Sequence, residues 1–254
     1  MRSKYELLLD DTIEIFGRKL FRIKALISFG SVAKGDLGGY VEADRNLSHS
    51  GNAWVYGDAR VYGNARVYGN AWVYGNARVY GNARVYGNAR VYGNAWVYGN
   101  ARVYGNAWVY GNARVYGDAR VYGNARVYGD AEVKSSKDYI VFKNTWSSFR
   151  WFTYTKSNKM WSVGCFYGTG QELVKKAYED SEKSGKCYEA YVNLVLDLEK
   201  IEEEKQMNAI GMYSILGRLD RLEKIVFETV DDTSDILTRL RNLEKAVLQP
   251  AEGE

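Results

Sequence analysis

The sequence predicts a mainly β protein: a β-solenoid, then a small α/β module, then an α-helical coiled coil. Three observations predict this order. From Gly51 to Lys134 the chain is fourteen consecutive hexads of Gly-(Asn/Asp)-Ala-x-Val-(Tyr/Lys), with no insertion or deletion. Residues 135–190 change to aromatic, alternating runs followed by a capped helical stretch. From Tyr191 to Val247 apolar residues recur at heptad spacing. Residues 1–50 precede the repeat as a hairpin and an irregular first coil.

A period of six fits neither an α-helix at 3.6 nor a coiled coil at 3.5, and a glycine in every hexad would melt either. Ala-x-Val-Tyr alternates, which is a short strand of period two, and Gly-Asn tolerates the positive φ of a corner. Short strand plus corner, repeated, winds into a solenoid with Ala and Val inside and the x residue and Tyr outside. Three hexads per coil stack residues eighteen apart, and fourteen hexads rise on the order of 22 Å at about 4.8 Å per coil.

The spacing of Val and Ala around Gly-Asn resembles the hexapeptide-repeat, left-handed parallel β-helix proteins. The stretch Gly38-Gly39-Tyr40-Val41-Glu42, then Asn46-Leu47-Ser48, then Gly51-Asn52-Ala53-Trp54-Val55-Tyr56-Gly57-Asp58-Ala59 is similar to a subgroup of phage, prophage and bacterial proteins described as transferase-like or polymer-forming. The left hand of the helix is what the resemblance implies, since the period alone cannot set it. Homo-oligomers, trimers in particular, and a phage or prophage origin are implied in the same way.

Stacking at eighteen residues sets three outward columns. The first is Trp54, Trp72, Arg90, Trp108 and Arg126; the second is Arg60, Arg78, Trp96, Arg114 and Glu132; the third is Arg66, Arg84, Arg102 and Arg120. A tyrosine column runs beside each, such as Tyr68, Tyr86, Tyr104 and Tyr122. Stacked arginines repel, so neighbouring Tyr and Trp rings are expected to accept them through cation–π contact. Two readings of these columns stand side by side. One is an ordinary exterior, with Arg for solubility and Tyr for strand propensity. The other is a polyanion surface, with arginine on phosphate and rings stacked on bases. Nothing in so uniform a repeat reads base sequence, so nucleic-acid binding would be non-specific.

Before the repeat, Thr12–Phe16 and Leu20–Leu26 alternate around Gly17-Arg18-Lys19, a β-hairpin that caps the open end of the solenoid. After it, Tyr139–Phe142, Arg150–Thr155 and Met160–Phe166 read as strands, and Thr169 caps a helix from about Gln171 to Glu179. The stretch from Trp146-Ser147-Ser148 through Gly164–Gly170 also resembles a module that follows such repeats in phage-type proteins. In the heptad, Tyr191, Leu198, Lys205, Met212, Leu219, Val226, Thr233, Leu240 and Val247 take position a. Leu194, Ile201, Asn208, Ile215, Leu222, Thr229, Ile236 and Leu243 take position d. Arg218 with Glu223, and Arg239 with Glu244, fall at the spacing that pairs parallel chains. Met212, Ile215, Leu219, Leu222, Val226, Ile236, Leu240, Leu243 and Val247 are the expected oligomerisation residues. An intramolecular helical pair, turning near Asp231-Asp232, is the alternative.

Charge is asymmetric behind a net +4. Residues 51–134 hold ten basic against four acidic side chains, and residues from Leu196 onward hold eight basic against fourteen acidic. No apolar run approaches the roughly 20 residues of a membrane span, and the N-terminus has no leader pattern, so the expected location is a cytoplasm, the host's if phage-encoded. Solenoids of the resembled type include acyltransferases that use a histidine base near a bulging loop. Here the sole histidine is His49, read as an exposed turn residue, and the coils carry no bulge. Cys165 and Cys187 have no CxxC spacing and no adjacent base, and Gly164–Gly170 lacks the lysine and spacing of a phosphate loop. No metal, cofactor or catalytic residue is expected. The function expected is a non-catalytic oligomeric scaffold that binds a host defence or regulatory protein. A polyanion binder, an acyltransferase and a fibre or adhesin-like protein are the alternatives.

Overall fold

A computed structural model describes residues 3–229 together with Thr238 and Arg241, with side chains described through Arg221 and at those two positions. The chain divides into two compact units, Met1–Val192 and Asn193–Glu254. The first holds the solenoid and its two flanking elements.

The repeat forms fourteen two-residue strands, β4 (Trp54–Val55) through β17 (Glu132–Val133), one per hexad. Each pairs in parallel with the strand three hexads on, as in Arg84↔Arg102 and Val85↔Val103, so that the strands fall into three sheets around a β-solenoid of about five turns. Every Ala and Val of the repeat from Ala53 to Val133 is buried, in one continuous core. The small Ala and branched Val fill a narrow prism with little side-chain entropy to lose. Corner glycines are forced by two constraints at once. Gly93 sits at φ 68, and a Cβ there would lie 3.1 Å from the Gly111 nitrogen of the next coil.

Parallel stacking gives the solenoid a chemical polarity. The N–H groups of the x, Tyr and Asn positions donate to the coil that follows, as in Arg84 N to Ala101 O at 2.9 Å and Tyr86 N to Val103 O at 3.0 Å. The first coil therefore has free carbonyls and the last coil free N–H groups, and an unmet buried group of either kind costs about 1–3 kcal/mol. The N-terminal segment supplies donors. Strands β1 (Tyr5–Ile15) and β2 (Arg18–Ala25) form an antiparallel hairpin that pairs onward with β3 (Leu37–Val41), and β3 pairs in parallel with β5 (Arg60–Val61). Tyr40, Glu42 and Ser48 donate their backbone N–H groups to Ala59, Val61 and Val67. Asn46 Nδ2 reaches Ala65 O at 2.9 Å, and the buried Lys4 Nζ reaches Ala53 O at 2.8 Å. Burial pulls the Lys4 amine down to about 8.

The C-terminal end receives acceptors instead. Strands β18 (Tyr139–Lys143), β19 (Trp151–Thr155), β20 (Met160–Val163) and β21 (Phe166–Gly168) make an antiparallel sheet. The run Met160–Phe166 is two strands rather than one, because Gly164 turns at φ 60. Thr153 Oγ1 accepts from Arg126 N at 2.9 Å, Ser157 Oγ from Glu132 N at 2.8 Å, and Asp138 Oδ2 from Lys134 N at 2.6 Å. Helix α1 (Gly170–Asp180) starts at a capping box between Thr169 and Glu172, and α2 (Glu182–Thr229) follows. Tyr191, the first heptad position, belongs to the module: its ring packs on Phe142, Phe152 and Trp146 at 5.0–5.6 Å. Any seam for a partner therefore begins after it.

Candidate functional site

The outward x residues of the three sheets lie in direct register, and their surroundings differ. On the first sheet, the Arg90 guanidinium lies between Trp72 and Trp108, 5.2 and 5.1 Å from the two rings, and Arg126 is 4.7 Å from Trp108. On the second, Arg78 and Arg114 flank Trp96 at 4.9 and 5.4 Å, and Arg114 also reaches Glu132 at 3.4 Å. Tryptophan thus takes the arginines of these two faces except Arg60, which lies in register with Arg78.

The third face has no such relief. Arg66, Arg84, Arg102 and Arg120 follow one another without interruption. Among the described residues none of these guanidinium groups has a ring, carboxylate or hydrogen-bond partner. The expected cation–π contact with tyrosine fails here for a geometric reason: the rings stack on each other instead. Tyr68, Tyr86, Tyr104 and Tyr122 have centroids 4.8, 4.9 and 5.3 Å apart and nearly parallel planes. Each ring face inside the column is covered, and only edges point outward. Bases therefore cannot stack between successive rings of this column, which corrects the expectation of ring-by-ring stacking along it.

Of the tryptophans expected on the surface, Trp72 and Trp108 are half-buried beside their arginines, while Trp54 is fully buried. The N-terminal segment covers it, with the Phe29 ring 5.4 Å and the Tyr5 ring 6.2 Å away, so Trp54 is core and not binding surface. His49 also departs from the expected free turn. Its ring stacks on Tyr5 at 4.4 Å, Nδ1 accepts from Lys4 N at 3.1 Å, and Nε2 lies 2.7 Å from Asp44 Oδ1. The Lys4 N–H fixes Nδ1 as acceptor and places the ring proton on Nε2, facing Asp44. Both ring nitrogens are engaged in holding the first coil.

The third face ends, at its N-terminal side, in an open cavity of about 530 Å³ lined by Asp44, Arg45, Ser48, His49, Arg66, Tyr68 and Arg84 together with Leu47 and Val67. The exposed Arg45 adds a third guanidinium to those of Arg66 and Arg84. Arg45 was not singled out from the sequence, because it lies in the irregular approach where no period assigns it a face.

Six overlapping windows covering residues 59–75, 71–85, 83–99, 95–111, 107–121 and 119–133 match a family model. These windows are similar to the YdcK beta solenoid repeat. The match ends where the repeat ends, and says nothing of the flanking elements. No curated protein matches the chain.

The remaining expected residues lie outside this face. Cys165 is exposed, Cys187 is half-buried, and neither has a disulfide. Among the described residues no group of three or more His, Cys, Asp or Glu side chains is placed to hold a metal ion, and no helix is long and apolar enough to cross a membrane. On α2, Leu194, Leu198, Ile201, Met212 and Ile215 are 40% to 53% exposed, and Leu219 is half-buried. Leu222 and Val226 fall within α2, but their side chains lie outside the described set; Ile236, Leu240, Leu243 and Val247 lie outside the described residues.

Proposed function

We propose that the chain is a non-catalytic scaffold whose third face binds a linear polyanion, a nucleic-acid backbone above all, by charge. The observation that carries this is the uninterrupted, unpartnered column of Arg66, Arg84, Arg102 and Arg120 on a rigid solenoid. Guanidiniums one coil apart, about 4.8 Å, repel by on the order of 1 kcal/mol per pair in water before salt screening. Regularly spaced phosphates relieve that repulsion and accept bidentate hydrogen bonds. Recognition along the column is through charge and spacing, because the rings within it are closed against one another. A host protein with an acidic groove is the competing partner, and the resemblance to phage and prophage proteins supports it.

The hand of the coil in this reading is left, as in the hexapeptide-repeat proteins. A second copy of the chain occupies the exposed apolar seam of α2, as a parallel coiled coil within a trimer. Leu198, Ile201, Met212 and Ile215 share that seam, and leaving them in water forfeits about 1.5–3 kcal/mol each. Light scattering on the wild type and on a Met212→Glu, Ile215→Glu variant tests it: a trimer that dissociates supports the seam, and a monomeric wild type rejects it.

A pull-down from lysate, with and without nuclease, tests the partner. Recovery of nucleic acid that weakens steeply with salt, with a log–log slope of about −3 for four single-strand phosphates, supports the polyanion. A single protein retained after nuclease treatment assigns the face to a protein partner instead.

A further inference from the structure

The three tyrosine columns end differently at the N-terminal side of the solenoid. Tyr62, which stacks on Tyr80, is buried beneath the hairpin with Leu20 and Tyr40. Tyr56 leaves its column and turns edge-on to Trp54 and Trp72, at 6.4 and 5.6 Å. Tyr68 alone starts its column beside an open space. It stacks on Tyr86 at 4.8 Å, and among the described residues no ring lies on its other face.

The sequence explains the opening. Ser48 N donates to Val67 O just as Tyr68 N donates to Val85 O, so Ser48 holds the place of the next tyrosine in the column. A side chain of two heavy atoms stands where a ring would stand. The result is a step one ring deep, continuous with the cavity of about 530 Å³, which is within the range of small-ligand sites, roughly 300–1,000 Å³. Arg45, Arg66 and Arg84 converge on the same cavity, with one carboxylate, Asp44, which His49 Nε2 engages at 2.7 Å.

We propose that this step is a binding site for a nucleoside monophosphate, with its base on the open face of Tyr68 and its phosphate among Arg45, Arg66 and Arg84. The base takes the position of the missing ring and extends the column by one layer, at the spacing that the tyrosines already keep. Base–aromatic stacking contributes about 1–3 kcal/mol, and guanidinium–phosphate pairing is charge-assisted and bidentate. Asp44 repels the phosphate from its own side of the cavity and so orients the nucleotide toward the arginines. The site goes beyond the polyanion face. It shares Arg66 and Arg84 with that face, and the variants below separate the two.

Calorimetric titration of the full chain with adenosine monophosphate, ribose 5-phosphate, inorganic phosphate and adenosine tests the proposal. The nucleotide is expected to bind with a Kd below about 1 mM, and each of the other three at least tenfold more weakly. Ser48→Tyr, which fills the step, abolishes nucleotide binding while circular dichroism and melting stay as in the wild type. Should that variant fail to fold, Arg45→Glu, on the exposed rim, takes its place and is expected to lose tenfold or more. Arg102→Ser with Arg120→Ser leaves nucleotide binding within twofold while weakening the polyanion. The proposal is overturned if the nucleotide does not bind, if ribose 5-phosphate binds as tightly, or if the folded Ser48→Tyr or Arg45→Glu variant binds as the wild type does.

Discussion

The third face of the solenoid and the first two are made from the same hexad, share one core and one register, and differ chiefly at the outward x residue. On the first two faces, Trp72, Trp108 and Trp96 take up the charge of Arg78, Arg90, Arg114 and Arg126, and only Arg60 and Arg78 stand next to each other. On the third, Arg66, Arg84, Arg102 and Arg120 face one another with nothing between them. Inside the repeat Gly, Ala and Val are each fixed by geometry, which leaves x as the position free to carry recognition. A face that is unfavourable alone becomes favourable when an anion covers it.

The largest effect that sharpens this comparison is alkaline. The unfolded chain releases tyrosine protons near pH 10. Burial pushes the phenols of Tyr80 and Tyr139 up to about 12 and raises those of Tyr74 and Tyr92 as well. The folded state then keeps more protons than the unfolded state between about pH 10 and 12, so stability falls as pH rises through that window. Lys4 acts in the opposite direction: its folded amine releases its proton at about 8, before the unfolded amine at 10.5, so it adds stability between those values. Melting temperature followed from pH 7 to 12 is expected to hold or rise slightly and then drop steeply. Tyr80→Phe, on the second face, makes the drop shallower; an unchanged profile would contradict burial as its cause.

A smaller effect has opposite signs on two faces. Arg90→Ser removes a guanidinium held between two indoles and is expected to cost about 1–2 kcal/mol. Arg84→Ser removes two unfavourable neighbours and is expected to stabilise the free protein by up to roughly 1 kcal/mol at low salt, with the gain fading as salt screens it. Urea melts of both variants at two salt concentrations read the difference, and equal signs would erase the distinction between the faces.

The smallest effect concerns the corners. Asparagine amides form ladders in which each Nδ2 donates to the residue eighteen positions on, as from Asn82 to Asn100 at 3.1 Å. Two ladders end on acids, Asn100 to Asp118 and Asn112 to Asp130, both at 3.0 Å. An acid accepts without needing a further acceptor below it. Asp118→Asn is therefore expected to shift stability by only a few tenths of a kcal/mol, whereas Asn100→Asp, which sets two carboxylates in adjacent coils, costs more.

The regular part of the chain was legible because one period governed it. Register, core residues and outward columns all follow from a hexad repeated without a break, and the Arg66–Arg120 column could be written down from spacing alone. The approach to the repeat was not legible. Trp54 looks like every other x residue, yet the N-terminal segment packs over it, and that fold-back has no local signature. Lys4, Arg45, Asn46 and His49 act through contacts forty or so residues away or across a coil boundary, where no period assigns them a face. The closed stacking of the tyrosines was missed for another reason: the coil spacing that sets the arginines apart also suits ring-on-ring contact, and the rings satisfy one another first.

Fluorescence anisotropy of a labelled single-stranded oligonucleotide, titrated with two matched variants across a range of salt, tests the central claim most directly. One variant changes Arg66, Arg84, Arg102 and Arg120 to Ser; the other changes Arg78, Arg90, Arg114 and Arg126 to Ser, which removes the same charge from the first two faces. The account predicts that the first loses affinity by a hundredfold or more and flattens the salt dependence, while the second, checked for folding, stays within about threefold of the wild type. Equal losses from the two variants would show that total charge, and not the uninterrupted face, holds the polyanion.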